Sequence, residues 1–133
     1  MQLNNDFMTV DSFVKSECFK NLKINLQELA IYLFQQLDKK GIGFKIHTGE
    51  SYNRFVLWAD EAIERNRDRD FLTIFTRRNG LLLWPKFYGV GWKSDEAIKF
   101  QNEVYHLNQI DEEVIELVKK AYISICNKDS LIQ

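Results

Sequence analysis

The chain has 133 residues, of which 45% are hydrophobic and 14% aromatic, and its 18 basic and 19 acidic side chains give a formal net charge of −1. This length suits one folded domain, residues 1–133, and the apolar content excludes a disordered chain. The balanced charge excludes an overall field that would draw the chain to nucleic acid or to an acidic membrane. Such binding would need a local patch.

The cysteines and the N-terminus indicate the compartment. Cys18 and Cys126 are far apart in the chain, which favours buried thiols in a reducing cytosol over a bridge between them. The first residues lack both the basic start and the apolar run of a signal peptide. No window approaches the roughly 20 apolar residues of a membrane span. We therefore expect a soluble, cytoplasmic protein without a membrane partner.

The N-terminal third predicts two helices. We read residues 1–10 as a loosely ordered leader, followed by a short helix that begins at Asp11 or Ser12 and runs to residue 22. A second helix is predicted over residues 26–40, because its apolar residues recur with the 3.6-residue period and Gly41 follows the pattern.

The start of the second helix carries a capping signature. Asn25 is a typical N-cap, and Glu28 stands where a capping box needs its acidic residue. Ile24 and Leu29 have the spacing of a hydrophobic staple. These signals predict that Leu26 is the first helical residue.

Two short strands and a charged segment are predicted next. Residues 43–47 alternate between apolar and polar, residues 48–51 have turn chemistry, and residues 52–58 resume as a strand. Residues 59–70 are strongly charged with alternating signs. They indicate a solvated loop or an exposed helical turn, with a binding arm as the less favoured interpretation.

Residues 71–88 predict a β-hairpin. Asn79-Gly80 is the expected turn, because both residues tolerate the positive φ that a type I′ turn requires. This turn would set Phe75 opposite Trp84 and Leu72 opposite Phe87. Pro85 cannot donate to a ladder, so the second strand should lie at an edge there or lose its pairing near Trp84.

Both faces of the predicted hairpin are apolar. One face must be the core, and the other is either covered by a helix or is a surface for binding. The first face carries Leu72, Ile74, Leu83 and Phe87; the second carries Phe71, Phe75, Leu82, Trp84 and Tyr88, interleaved with Thr73, Arg77 and Lys86.

The C-terminal third predicts a helix over residues 95–100 capped by Ser94, a strand over residues 104–107, and a long helix from Asp111 to about residue 127. The apolar stripe of this last helix comprises Val114, Leu117, Val118, Ala121, Tyr122 and Ile125. The expected fold class is α+β, with an antiparallel sheet meander of about four to five strands packed by N-terminal helices and a long C-terminal helix.

The sequence contains no recognisable catalytic or cofactor motif. Its glycine pairs do not continue into a dinucleotide or phosphate-binding loop, so we expect no cofactor. The two histidines, His47 and His106, have no second ligand at metal spacing, so we expect no metal site. If the protein were an enzyme, the candidate participants would be His47, Glu50 and His106.

The strongest candidate site is an aromatic and basic surface on the hairpin and the loop after it. Aromatic faces with interleaved cations hold single-stranded nucleic acid, although packing in a core would require the same aromatic residues. The candidate ligand-binding or partner-binding residues are Arg77, Trp84, Lys86, Tyr88 and Trp92.

The hairpin and the C-terminal region also resemble a known family. The apolar run from Phe71 to Phe87, the segment from Val104 to Leu107, and a helix ending in Leu117-Val-Lys-Lys-Ala-Tyr122 resemble an uncharacterised small prokaryotic domain family often labelled "predicted transport protein". The layout of residues 25–125 is also similar to that of the MmcQ/YjbR-like proteins. This resemblance implies an antiparallel sheet packed by helices and a DNA-associated or defence-related accessory role; it supplies no catalytic residues.

Three functional hypotheses follow. The first is a non-enzymatic binding or accessory module that uses the aromatic-basic hairpin surface, with single-stranded nucleic acid as a candidate ligand. The second is a protein-interaction domain that forms a homodimer through the same hairpin, since exposed aromatic patches mark interfaces. The third is an enzyme whose reaction the sequence does not identify.

Overall fold

The computed structural model describes residues 7–48, 53–60, 70–91 and 94–126. Its strands are β1 (Phe7–Met8), β2 (Phe44–His47), β3 (Arg54–Ala59), β4 (Asp70–Thr76), β5 (Leu81–Pro85) and β6 (Asn102–Val104). Its helices are α1 (Val10–Val14), α2 (Glu17–Lys20), α3 (Ile24–Lys39), α4 (Asp95–Ile98) and α5 (Glu112–Cys126), and a 3₁₀ turn spans Leu107–Gln109.

Hydroxyl side chains begin the first two helices. Thr9 Oγ1 accepts a hydrogen bond from the Ser12 amide at 3.1 Å, and Ser16 Oγ accepts one from the Phe19 amide at 3.3 Å. The sequence predicted one helix to residue 22, but Ser16 caps a new helix and divides the segment. Phe13 of α1 and Phe19 of α2 are buried, with their ring centroids 5.5 Å apart.

The start of α3 differs from the prediction. The helix begins at Ile24 after Lys23, and no side chain caps it. Asn25 is therefore inside the first turn, where its amide nitrogen donates to the Asn79 carbonyl at 3.2 Å. Ile24 is 69% exposed, so the predicted staple does not form. The predicted capping box of Asn25 and Glu28 is wrong because a tertiary hydrogen bond to the hairpin uses the asparagine.

The end of α3 agrees with the prediction. Gly41 has φ 78°, in the left-handed region that favours glycine. The Gly41 amide donates to the Asp38 carbonyl at 3.0 Å and the Ile42 amide donates to the Leu37 carbonyl at 3.1 Å. This pair of bonds is the Schellman motif, which satisfies two carbonyls that the helix end would leave unpaired.

The six strands of the described residues form one antiparallel sheet in the order β1-β2-β3-β4-β5-β6. The extra strand relative to the prediction is β1, in which Phe7 pairs with His47 and Met8 with Ile46. The prediction of a loose leader is therefore wrong for residues 7–10, while residues 1–6 lie outside the described ranges. The predicted strand over residues 104–107 is shifted to Asn102–Val104.

The β4–β5 hairpin exists as predicted, but its predicted register is wrong. Phe75 lies opposite Leu82, Thr73 opposite Trp84, and Leu72 opposite Pro85. The loop comprises residues 77–80, so it is centred one residue before Asn79-Gly80, and every pair shifts by two. Gly80 does not have positive φ. A Cβ on Gly80 would lie 2.4 Å from the Val104 carbonyl oxygen, so this glycine permits the close approach of β6.

A β-bulge changes the orientation of Phe71. Leu57 pairs with Leu72 and Trp58 pairs with Asp70, which leaves Phe71 as the extra residue. A bulge re-aims the side chain of its extra residue. Phe71 is completely buried against Tyr122 of α5, with ring centroids 5.3 Å apart. Its predicted position on the second face of the hairpin is therefore wrong.

Helices α3 and α5 pack on one face of the sheet, which we call the inner sheet face. Phe34 of α3 contacts Phe44 and Phe55 with ring centroids 5.6 and 6.2 Å apart, and Tyr122 of α5 contacts Phe71. The inner sheet face is completely or almost completely buried at Ile46, Phe55, Leu57, Ala59, Leu72, Ile74, Leu81, Leu83 and Val104. The core of the molecule lies between this face and the two helices.

The buried stripe of α5 is rotated from the predicted one. Asp111 begins the helix as predicted, since its Oδ1 accepts a hydrogen bond from the Val114 amide at 3.0 Å. Leu117 is only half-buried, whereas Ile115, which the predicted stripe omitted, is 2% exposed. The buried side of the helix therefore comprises Val114, Ile115, Val118, Ala121 and Ile125.

The chain has the predicted α+β fold with an antiparallel sheet and a long C-terminal helix. Pro85 ends β5 two residues beyond Leu83, where the ladder to β6 stops, so it costs that ladder no hydrogen bond. Neither Cys18 nor Cys126 forms a disulfide bond. Among the described residues, no helix has the length and apolar character needed to cross a membrane.

Candidate binding surface on the outer sheet face

The strand residues between the inner positions point away from α3 and α5, and together they form the outer sheet face. Most of these side chains are half-buried, in contrast to the inner face. The strand register aligns them in three rows: Arg54, Phe75, Leu82 and Glu103; Phe7, His47, Val56, Thr73 and Trp84; and Lys45, Trp58 and Asp70, with Lys86 beside Asp70.

An aromatic platform with two guanidinium groups lies across the first two rows and the start of the hairpin loop. Phe75 is half-buried, its ring centroid is 6.1 Å from that of Trp84, and the Arg77 guanidinium carbon is 5.4 Å from the Phe75 centroid. Arg54 is the cross-strand neighbour of Phe75. Both arginines are exposed, and no ion pair joins either to another described residue. We call these four residues the Phe75 platform.

A second aromatic group lies toward the β1 edge. The Phe7 ring centroid is 5.0 Å from Trp58 and 5.4 Å from His47. Lys45 is the cross-strand neighbour of Trp58 and forms an ion pair with Asp60 at 2.8 Å. Trp58 follows Arg54 by four residues on β3, which separates the two groups by about 13 Å along the strand.

The centre of the outer face is polar and paired. Lys86 Nζ lies 3.0 Å from Asp70 Oδ2, and the Thr73 hydroxyl donates to the same carboxylate at 3.3 Å. Thr73 is 7% exposed, so its hydroxyl needs this partner. The described residues leave no buried side-chain nitrogen or oxygen without a hydrogen bond.

Helix α4 covers the part of the outer face that lies on β5. The Trp84 indole nitrogen donates to the Ala97 carbonyl at 3.1 Å, and Ala97 and Leu82 are 4% and 7% exposed. Ser94 caps the helix as predicted, because its hydroxyl accepts a hydrogen bond from the Ala97 amide at 3.1 Å. The helix ends at Ile98, two residues before the predicted end. The second face of the hairpin is thus covered at Leu82 and half-buried at Phe75 and Trp84.

The structure brings together three of the five residues predicted to bind. Arg77, Trp84 and Lys86 all lie on the outer sheet face. Tyr88 does not: its amide donates to Ser124 Oγ of α5 at 3.0 Å, and its side chain packs against the core. Trp92 lies outside the described residues, as does most of the charged segment 59–70.

Sequence reasoning missed the contributions of β1, β2 and β3 to this surface. Arg54 and Trp58 alternate with the buried Phe55 and Leu57, so the period-2 pattern contained the signal. The missing information was the strand order, which sets β3 beside the hairpin. Phe7 had no signal, since a two-residue strand has no period.

The histidines do not form a common site. His47 is on β2, and His106 precedes the 3₁₀ turn after β6. The four strand spacings between them correspond to about 19 Å. Glu50 lies outside the described residues. Within the described ranges, no group of three His, Cys, Asp or Glu side chains could hold a metal ion.

Comparisons with protein-family models, with curated proteins and with solved structures find no match to this chain. The resemblance to the small prokaryotic α+β family stays a prediction. The functional argument therefore depends on the geometry of the outer sheet face.

Proposed function

We propose that this protein is a non-enzymatic binding module that holds single-stranded nucleic acid on its outer sheet face. The observation that carries the proposal is the Phe75 platform, an aromatic pair in which the exposed Arg77 guanidinium lies over the Phe75 ring and the exposed Arg54 is the cross-strand neighbour of Phe75. The resemblance to a family with DNA-associated members implies the same class of function. The proposal replaces Tyr88 of the predicted site with Arg54 and Phe75.

The chemistry of the platform suits a flexible, unpaired strand. A base that stacks on an aromatic side chain gains about 1–3 kcal/mol, without selection for one base type. Arginine binds phosphate through two parallel hydrogen bonds and can also stack on the base. A duplex would hide its base faces, so the platform favours single strands.

The charge distribution limits the strength of this binding. The chain has a formal net charge of −1, and Lys45 and Lys86 are paired with Asp60 and Asp70. Arg54 and Arg77 are therefore the principal phosphate contacts on this face. Each contact with a single-stranded phosphate contributes about 0.7 to the slope of log K against log salt concentration. Two contacts predict a shallow slope of about −1.4.

Fluorescence anisotropy with a labelled 15-residue oligothymidylate tests the proposal. We expect binding at low salt with the shallow slope given above, and weaker binding to the same strand in a duplex. Arg54→Gln and Arg77→Gln should each make the slope shallower by about 0.7, from about −1.4 to about −0.7. Phe75→Ala should weaken binding by about 5-fold to 150-fold, which corresponds to one stacked base.

Lys20→Gln is the matched control, because Lys20 is exposed on α2 in the helical layer. It should leave both the affinity and the slope unchanged. Urea denaturation of each variant confirms that its fold is intact. The proposal is contradicted if the wild-type protein does not bind the oligonucleotide at 20 mM salt. It is also contradicted if Arg54→Gln and Lys20→Gln bind the oligonucleotide with equal affinity.

Self-association is the second candidate function, and a different surface supports it. Lys23 Nζ donates to the Arg78 carbonyl at 3.0 Å, which holds the start of α3 at the hairpin loop. The Tyr105 ring lies beside Gly80 of this loop, Ile24 precedes Asn25, which bonds to the Asn79 carbonyl, and Leu107 follows Tyr105 by two residues. Ile24, Tyr105 and Leu107 are 69%, 41% and 42% exposed. Clustered exposed apolar side chains mark interaction surfaces.

Sedimentation equilibrium distinguishes this candidate from the first. A dimer through the hairpin end should dissociate on Ile24→Lys or Leu107→Lys. It should persist on Ile123→Lys, whose side chain is 41% exposed on α5. A wild-type monomer at the highest concentration tested excludes self-association and leaves the nucleic-acid proposal unaffected.

A further inference from the structure

A groove of about 700 Å³ separates α1, the C-terminal half of α3 and β2 on the helical side of the molecule. It is distinct from the outer sheet face. Its apolar walls come from Val10 and Val14 of α1, Ile31 and Phe34 of α3, and Phe44 of β2. This volume is within the range of small-molecule sites, which are mainly apolar with a few polar groups that fix orientation.

The charged side chains that line the groove, among the described residues, are all negative. Asp11, Asp38 and Asp60 contribute carboxylates, and among the described residues that line the groove there is no lysine or arginine. Asp11 and Asp38 are exposed and form no ion pair with another described residue. Lys45 approaches only Asp60, at 2.8 Å.

The end of α3 makes this rim more negative. Asp38 lies in the last turn of a 16-residue helix, whose C-terminus carries the negative end of the helix dipole. Two lysines follow Asp38: Lys39 is exposed and does not line the groove, and Lys40 forms ion pairs with Glu112 and Glu116 of α5. Hydrogen bonding to Glu112 raises the pKa of Lys40, and this residue does not line the groove.

We propose that this groove binds a small organic cation, in which a protonated amine contacts Asp11 and Asp38 and an apolar body contacts Phe34 and Phe44. Charge complementarity selects a cation over a neutral or anionic ligand of the same shape. The apolar walls select an organic ammonium over a bare metal ion, which would need a cluster of oxygen ligands.

Three small-molecule probes of nearly equal shape test the proposal. Each is titrated into the full chain, and the amide signals of the protein are monitored by nuclear magnetic resonance. The probes are 2-phenylethylammonium, 2-phenylethanol and 3-phenylpropanoate. The ammonium should shift the amides of Val14, Ile31 and Phe34, and it should bind at least about tenfold more tightly than the alcohol, the ratio expected for a charge-assisted hydrogen bond. The propanoate should be the weakest ligand.

The double variant Asp11→Asn with Asp38→Asn should reduce the preference for ammonium over alcohol to less than about threefold. Glu17→Gln with Glu28→Gln is the matched control, since both glutamates are exposed on helices and neither lines the groove. The spectra themselves report whether each variant is folded. Equal affinity for the ammonium and the alcohol, shifts that map outside the groove, or equal effects of the two double variants would overturn the proposal.

Discussion

The two faces of the sheet are made by the same strands and have opposite characters. On β3, Phe55 and Leu57 point inward and are completely buried, whereas Val56 and Trp58 point outward and are half-buried. The inner face is apolar and is covered by α3 and α5. The outer face mixes aromatic rings with charged groups. One strand therefore supplies core residues and the proposed binding surface at alternate positions.

This comparison shows where the fold can change without loss of stability. The inner face contributes through burial of apolar area, which any truncation diminishes. The outer face contributes through partly solvated pairs such as Lys86 with Asp70, which are individually weak. Substitutions on the inner face should alter stability, and substitutions on the outer face should alter binding.

The largest expected effect is on adjacent residues of β3. Phe55→Ala removes a completely buried ring that contacts Phe13 and Phe34, and it should lower the free energy of unfolding by about 3–5 kcal/mol. Val56→Ala removes half-buried methyl groups and should cost about 1 kcal/mol. Urea denaturation measures both. Similar losses from the two variants would contradict the assignment of the faces.

A second pair of variants tests the helix that covers the inner face. Ile115→Ala should cost about 2–5 kcal/mol, because Ile115 is 2% exposed and truncation leaves a cavity. Leu117→Ala should cost about 1 kcal/mol, since Leu117 is half-buried. Thermal denaturation ranks the two variants. If Leu117→Ala is the more destabilising, α5 is rotated from the orientation described.

The same helix illustrates what periodicity can and cannot predict. The 3.6-residue pattern predicted the existence, extent and N-cap of α5, because these depend on local sequence. It chose Leu117 over Ile115, since both are apolar and either fits a stripe beside Val118. The choice depends on how the helix lies on the sheet, which is a tertiary property.

The register of the hairpin and the start of α3 were mispredicted because long-range contacts outweighed local preferences. Asn79-Gly80 is the strongest local turn signal, yet the loop is centred one residue earlier and Gly80 serves the approach of β6. Asn25 is a good N-cap, yet its side chain binds the Asn79 carbonyl. Both misses involve contacts of the hairpin loop with other elements, β6 and α3, which no local pattern encodes.

About half of the candidate site could be predicted, because only part of it depends on local sequence. Arg77, Trp84 and Lys86 lie on one hairpin, so strand alternation sufficed to group them. Tyr88 follows β5, where alternation ends, and it turns toward α5. Arg54 joins the site through pairing of β3 with β4, which the strand order determines.

Gly80→Ala tests the close packing of the hairpin loop against β6. The added Cβ would lie 2.4 Å from the Val104 oxygen and 2.5 Å from the Tyr105 ring, so β6 must shift. We expect a loss of about 1–3 kcal/mol, typical of overpacking, measured by urea denaturation. Gly91→Ala is the control, because it has ordinary φ and open space around its Cβ, and it should change stability by less than about 0.5 kcal/mol.

Asp70→Asn tests the charge balance of the outer face. The substitution removes the carboxylate 3.0 Å from Lys86 and should cost no more than about 1 kcal/mol of stability, because the ion pair is partly exposed. It should also strengthen oligothymidylate binding at low salt by up to about fivefold. Glu17→Gln on α2 makes the same charge change in the helical layer and should leave binding unchanged. Equal effects of the two variants would mean that net charge alone governs binding.

The smallest expected effect concerns Tyr122, which joins α5 to the inner face through Phe71. Burial raises the pKa of the Tyr122 phenol, and the neighbouring Cys126 thiol raises it further. A raised pKa means that the fold favours the neutral phenol. The associated stability is therefore complete below the unfolded pKa of about 10 and is lost as the pH rises through the folded pKa.

Tyr122→Phe removes this titration and keeps the ring on Phe71. Urea denaturation from pH 8 to pH 11 should show the wild type losing stability relative to Tyr122→Phe above about pH 10. Tyr105→Phe is the control for an exposed phenol, whose raised pKa comes mainly from its hydrogen bond to Glu103. A constant difference between the wild type and Tyr122→Phe across this range would show that the phenol is solvated in the folded protein. The inner face would then be open to water beside α5, and its contrast with the outer face would be weaker at that end of the sheet.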